Sequence, residues 1–339
     1  MTPTTTKSKI STVGAVVKPT ILPKTRSIYG CSFLQDFKFK NKHSVPLYDV
    51  TSLSALNQLI GHAKFVNESY GNVYYRGTDD IYDNVLPSFV RHKKNCKAVG
   101  LNQLLVNICN DKDLSKLLKF RNYITPSGYT NSKIKRHNKY IAEALLQHYA
   151  GYTRFVDVVD NHWVALWMGL QKYHLYGAGK KNCECKKRIV SYADYYEQKV
   201  LASSSTSNYN IYEYIILLAM PYGTGRNEYG IVETSELVSV DLRKALPSVF
   251  LRPHAQHALV IRKREGNPSS KVPTSFFDLA SQVVAIIRIR IDRVANWLGE
   301  GDLVSSDNFF PSPTIDNGYN YLLLRKDLFT APFGILKYY

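Results

Sequence analysis

The stretch from 133 to 173 constrains this chain most. Ile134, His137, Ile141, Ala144, Leu145 and His148 recur at helical spacing, which predicts a helix over about 133–149. Gly151 is placed to stop it. A polar turn follows, and Asp160 or Asn161 can cap a second helix built on Val164, Ala165, Trp167, Met168 and Leu170. A helix this apolar must be buried, so the fold needs a core thick enough to enclose it. With 45% hydrophobic and 21% charged residues, the 339-residue chain can build that core without a disulfide or metal staple.

Other segments suit the same mixed architecture. Leu53, Leu56, Leu59 and Ile60 share a helical face, with Thr51 or Ser52 as cap. Residues 97–120 read as helical, and Val73, Tyr74 and Tyr75 as a strand ending at Gly77. Residues 232–242 alternate weakly as a strand, and 257–264 do so clearly. Ile287, Ile289 and Ile291 alternate with Arg288 and Arg290, and a helix is expected after them. No repeat or coiled-coil register is visible. We expect one α+β domain over 51–339, preceded by an N-terminal arm or strap over 1–50.

Charge is the informative imbalance. There are 44 Lys plus Arg against 27 Asp plus Glu, a net charge of +17. Such a surface attracts nucleic acid, nucleotides or acidic lipid without choosing among them. The basic runs at 133–136 and 186–190 are short. The five cysteines, Cys31, Cys96, Cys109, Cys183 and Cys185, are odd in number and irregularly spaced. That favours a reducing compartment over a disulfide framework. No secretory signal and no bilayer-length apolar run stands in the sequence, so a cytoplasmic protein without a membrane partner is expected. No P-loop, zincin or hydrolase-elbow motif is present. No metal ligand set is expected.

The residues suited to chemistry form a collection: Arg76, Arg91, Gln147, His148, Tyr149, Arg154, Asp157, Arg252 and Gln256. Arginines at strand ends or turns can clamp a phosphate, or can bridge to a neighbouring carboxylate; Arg154 with Asp157 suits either role. His148, at a helix C-terminus, is either a structural histidine or an acid, base or donor to a nucleotide.

These residues stand in an order that resembles the FRG domain family. Tyr75-Arg76-Gly77 stands where the Phe-Arg-Gly signature stands, with Tyr for Phe. Leu86-Pro87-Ser88-Phe89 with Arg91 resembles its Pro-Ser segment. Residues 147–157, QHYAGYTRFVD, resemble its central Gln-His-Tyr-Gly-x-x-Thr-Arg-Leu-Leu-Asp block, with a different turn after the tyrosine. Arg252, Gln256, Phe309-Phe310-Pro311, Asp316 and Gly318 resemble its later motifs, so the resemblance spans about 55–325. It implies a bacterial setting of antiviral defence or toxin-like activity.

Residues 73–78, VYYRGT, also resemble the first core strand of arginine-class mono-ADP-ribosyltransferases, with Ser205-Thr206-Ser207 as a counterpart of their Ser-Thr-Ser strand. That likeness implies a split central sheet, NAD as cofactor, and an ADP-ribosyltransferase or NAD glycohydrolase. Arg76 and Arg154 would then hold pyrophosphate. His148 and Tyr149 would position nicotinamide or ribose. Asp157, Glu233 or Glu236 would stabilise the developing cation. Gly77, Thr153, Arg252 and Gln256 would complete the cofactor side. The paired Glu-x-Glu of those enzymes is absent, since Glu233 and Glu236 are three apart. The leading expectation is therefore a nucleotide-handling enzyme that binds a phosphate-bearing small molecule. The alternatives are a nucleic-acid-binding or nucleic-acid-cleaving protein and a non-catalytic sensor that binds a protein partner.

Overall fold

Apolar residues occupy both sides of several strands, and this sets the architecture. In a computed structural model, the structure describes residues 18–24, 28–91, 98–119, 131–176, 188–194, 211–223, 228–264, 273–299, 302–329 and 336–338. Twelve strands appear among them: β1 (Cys31–Lys38), β2 (Ser44–Val50), β3 (Gly71–Thr78), β4 (Val156–Val159), β5 (Gln171–Tyr176), β6 (Arg188–Asp194), β7 (Tyr212–Pro221), β8 (Ile231–Glu233), β9 (Leu237–Asp241), β10 (Ala258–Lys263), β11 (Val283–Arg290) and β12 (Lys337–Tyr338). Nine of them form one sheet in the order β1-β2-β11-β7-β3-β4-β10-β9-β8. Its neighbours run antiparallel, apart from parallel β2 and β11. A small second sheet has the order β12-β6-β5.

The helices are α1 (Leu53–Val66), α2 (Ser88–Arg91), α3 (Ala98–Asn110), α4 (Lys112–Leu117), α5 (Asn131–Tyr149), α6 (His162–Leu170), α7 (Leu242–Ala245), α8 (Leu251–Ala255), α9 (Ile291–Leu298), α10 (Ser306–Phe309) and α11 (Asn317–Leu324). Sequence capping signals operate as expected. Ser52 accepts from Ala55 N at the start of α1, and Asn161 accepts from Trp163 N at the start of α6. The predicted helix at 133–149 is α5, and the predicted IIRIRI strand and following helix are β11 and α9.

The helices of this mixed α+β domain pack along one face of the large sheet. Alternate residues of β3, β7 and β11, such as Tyr75, Ile215, Leu217, Ile287 and Ile289, pack with α1, α6 and α9. Val238, Val240, Ala258 and Val260, from β9 and β10, pack instead with α3, α5 and α11. Their other faces, with Leu218, Ile216, Leu259 and Ile261, close a third apolar cluster. Strands covered on both sides read as continuous apolar runs. That is why 211–220 carried no clear strand alternation in the sequence.

Of residues 1–50, expected as an N-terminal arm or strap, 31–50 form the β1–β2 hairpin, and β2 lies between β1 and β11. The 18–24 segment is tied to the domain by backbone hydrogen bonds. Leu22 N donates to Val284 O, and Asn67 exchanges hydrogen bonds with the backbone of Thr20. No helix among the described residues is long and apolar enough to cross a membrane.

The two halves of the large sheet meet at β3 and β4, which are paired through Tyr75 and Val159. On its other side β3 pairs with β7 along its whole length. The strands therefore diverge on either side of one residue pair, and this seam positions the site.

Candidate functional site

Arg76 follows Tyr75, so it emerges where β3 leaves β4. Its Nη1 donates to the Asp157 carbonyl at 2.9 Å. Burial pulls its pKa down, and Asp157 pushes it back up. Arg91, at the exposed end of α2, is close enough to oppose the charge of Arg76. Neither arginine enters an ion pair among the described residues. The half-exposed Tyr82 stands in the field of both, and burial raises its hydroxyl pKa. Two guanidinium groups outside any ion pair among the described residues, beside a tyrosine, have the chemistry to hold an anion at the end of the seam.

The C-terminus of α5 and the start of β4 supply the other half. Gln147 Nε2 donates to Asp157 Oδ2 at 2.6 Å. The buried His148 Nε2 lies 3.7 Å from Asp157 Oδ1, and the Asp157 carboxylate is half open to solvent. The turn between them is tied down locally. The Thr153 hydroxyl donates to Gln147 Oε1 and accepts from Phe155 N, while Thr153 N donates to Ser88 Oγ. The Pro87-Ser88 segment thus anchors the turn that aims Asp157. An open carboxylate beside a sheltered imidazole can exchange a proton or stabilise a cation.

Gly77 serves the scaffold at this site. A Cβ there would fall 1.7 Å from the Ala165 carbonyl oxygen, so only glycine lets β3 lie this close to α6.

The remaining expected site residues support this centre from within or stand apart from it. Arg154 grips Glu143 on α5 through Nε at 2.9 Å and Nη2 at 2.7 Å, and Arg262 Nη1 reaches the same carboxylate at 2.6 Å. All three are buried, so Arg154 acts as an internal clamp and not as an open pyrophosphate ligand. Burial pushes the Glu143 carboxyl up, but the charges of Arg154 and Arg262 and the Arg154 hydrogen bonds bring it to about 2.

Arg252 is fully buried, with its guanidinium 4.5 Å from the Tyr149 ring and 5.1 Å from the Tyr319 ring. Its Nη1 donates to the His148 carbonyl at 2.8 Å, which makes it a support for the histidine. Burial likewise takes Tyr149 and Thr153 off the open face. Tyr149 donates to Asp316 Oδ2 at 2.7 Å, and Gln256 Nε2 donates to the Phe309 carbonyl at 2.7 Å.

Glu233, on β8, is held by Arg136 at 2.9 and 3.0 Å and lies 3.1 Å from His137 Nε2. Burial raises its carboxyl, but bonds from His137 and Arg136 overcome this and leave it at about 2. Glu236 is exposed, 3.9 Å from Lys263 Nζ. Neither glutamate joins Asp157.

One helix organises all three carboxylates. Along α5, Arg136, His137 and Tyr140 meet Glu233, Glu143 meets two arginines, and Gln147 with His148 meets Asp157. Sequence reasoning missed Glu143 and Arg262. The spacing of 136, 140, 143 and 147 was a signal, since it draws a polar stripe along a helix that is mostly buried from Tyr140 onward.

Cys31 and Cys109 are free thiols. Among the described residues no cluster of three or more His, Cys, Asp or Glu can hold a metal. Cys96, Cys183, Cys185 and Ser205-Thr206-Ser207 lie outside the described residues.

The segment that builds the site is the one that matches a family model. Residues 71–176 match the FRG domain, from the first residue of β3 to the end of β5. Arg76, Gln147, His148 and Asp157 fall inside the match; Arg252, Arg262 and Gln256 lie beyond it but belong to the same packed unit. No curated protein and no solved structure matches the chain.

Proposed function

We propose that this chain is a nucleotide-handling enzyme, with Arg76 and Arg91 holding phosphate or pyrophosphate and Asp157 with His148 acting at the ribose. One observation carries the reading. Arg76, about seventy residues from the central block, reaches the backbone of the one residue whose carboxylate is open beside His148. An anion clamp and an acid within one residue of each other suit a substrate with phosphates at one end and a reacting carbon at the other.

NAD is the substrate to test first, as cofactor or as the molecule consumed. In NAD cleavage the bond from ribose to nicotinamide breaks, nicotinamide leaves with the bonding electrons, and positive charge grows on the sugar. The Asp157 carboxylate would stabilise that charge. The meeting of two half-sheets at β3 and β4 supports an ADP-ribosyltransferase-like arrangement, and the FRG match supports a defence or toxin-like setting.

The test is nicotinamide release from NAD by the purified chain, with and without nucleic-acid and protein acceptors. Turnover that Asp157→Asn abolishes and Arg76→Ala weakens is the expected result. Absence of turnover removes NAD, and failure to bind ADP-ribose as well removes the nucleotide reading. A sensor would bind ADP-ribose without turnover, with the loss of binding confined to Arg76→Ala and Arg91→Ala.

A second reading rests on the +17 charge and on Tyr82 beside Arg91. A single-stranded nucleic acid can stack a base on such a ring while its backbone meets the arginines. Binding of that kind should weaken steeply with salt, and a flat salt response would remove it.

A further inference from the structure

The large sheet is split at the start of β3. After Val159 the chain leaves the sheet, because Asp160 and the capping Asn161 lead into α6. The four residues of β3 before Tyr75, Gly71–Tyr74, pair with β7 on one side and with no strand on the other among the described residues.

A groove of about 670 Å³ fills the split, within the range of ligand sites. Gly71, Asn72, Val73 and Tyr74 form one wall. Asp160, Asp241 and Leu259 belong to the wall across the split, and the end of α1 forms a third. Successive side chains of a strand point to opposite faces. Val73 packs in the cluster under α1, and Tyr74 packs against the cluster on the other face. Four consecutive residues can border one groove only if it runs along the edge of their strand. Such an edge directs the N–H and C=O of every second residue outward and is a template for another extended chain.

The groove is also bare and electrically balanced. Gly61 lines it from the middle of α1, where glycine is unfavourable. A Cβ there would meet nothing within 4 Å, so packing does not call for glycine, and its effect is to keep that wall open. Lys64, Arg243 and Lys244 are opposed by Glu68, Asp160 and Asp241, which leaves no net charge in a chain of +17. Arg243 binds both aspartates, and Lys64 bonds to the Tyr75 hydroxyl. That balance suits an uncharged occupant and not a polyanion. The exposed rings of Phe65 and Tyr222 border the groove and can cover apolar side chains.

We propose that this groove takes the end of an extended, uncharged segment of a partner protein, which adds as a strand along Gly71–Tyr74 and sets apolar side chains against Phe65 and Tyr222. Tyr75 and Val159 close the split at its inner end, so about four residues enter, ~13 Å of chain. Arg76 lies beyond the closed end, and the inference does not depend on the reaction proposed there.

The probes are end-capped tetrapeptides that alternate threonine with valine, leucine or phenylalanine. Each carries an uncharged dye and is titrated into the full chain, with binding followed by anisotropy. At least one should bind, and raising the salt should leave its affinity nearly unchanged. Methylating the backbone nitrogens of alternate residues should weaken it at least about tenfold in one alternation and little in the other. Gly61→Leu puts a side chain into open space on a helix, so the urea midpoint should hold while peptide binding is lost. Tyr222→Ala should weaken binding. Arg76→Ala should leave it unchanged, so failure here and failure at the Arg76 site are distinguishable. Absence of binding to every peptide overturns the proposal, as does equal affinity for the two methylated forms or binding that Gly61→Leu leaves intact. Displacement by a single-stranded oligonucleotide that high salt prevents would assign the groove to a polyanion and overturn it as well.

Discussion

Arginines that look alike in sequence divide into two kinds by what they touch. Arg76 makes one hydrogen bond to a carbonyl, whereas Arg154 and Arg262 share a buried carboxylate. Arg76→Ala should therefore cost only about 1 kcal/mol of stability in urea unfolding. Glu143→Ala should cost about 3–5 kcal/mol, because it strands two buried guanidinium groups. If the proposed NAD cleavage takes place, Asp157→Asn should keep the fold while lowering turnover by about 10²-fold or more, measured as nicotinamide release. Arg76 and Asp157 were legible as site candidates because their residue types suit the chemistry. Arg154 read equally well as a phosphate ligand, since its partner Glu143 is on a different element and the sequence carries no record of that contact.

Elements were legible where their ends carry chemical signals. The cap at Ser52, the stop after Tyr149 and the cap at Asn161 all stand where the sequence places them. Strands buried on both faces were less legible, as was the β1–β2 hairpin, whose outer strand is mostly exposed. The contact between β3 and α6 yields a sharp prediction. Gly77→Ala would push a methyl into the Ala165 carbonyl, and the two elements would have to separate. Destabilisation of at least about 1–3 kcal/mol is expected, read as a lowered urea midpoint. Activity should fall further than stability, because Arg76 is displaced with the strand.

Over the whole molecule, carboxylates held by arginines tie α5 to both the turn before β4 and the far edge of the sheet. Glu143 and Glu233 sit near 2 in the folded chain, against an ordinary glutamate value of 4.5. A depressed folded pKa adds stability above 4.5, and that stability is lost as pH falls from about 4.5 towards 2. The thermal midpoint should drop through this window, and Glu233→Gln should flatten the drop.

The sequence by itself determined the helix and strand signals, the basic charge and the block from Gln147 to Asp157, because these depend on neighbours within a few turns. Only the tertiary structure decided the strand order, the seam between β3 and β4, and which charges are spent on one another. Those outcomes depend on residues such as Glu143 and Arg262, 119 positions apart, meeting in a core from which water is excluded. Buried charge must find a partner there, and only the folded chain decides which arginines find one.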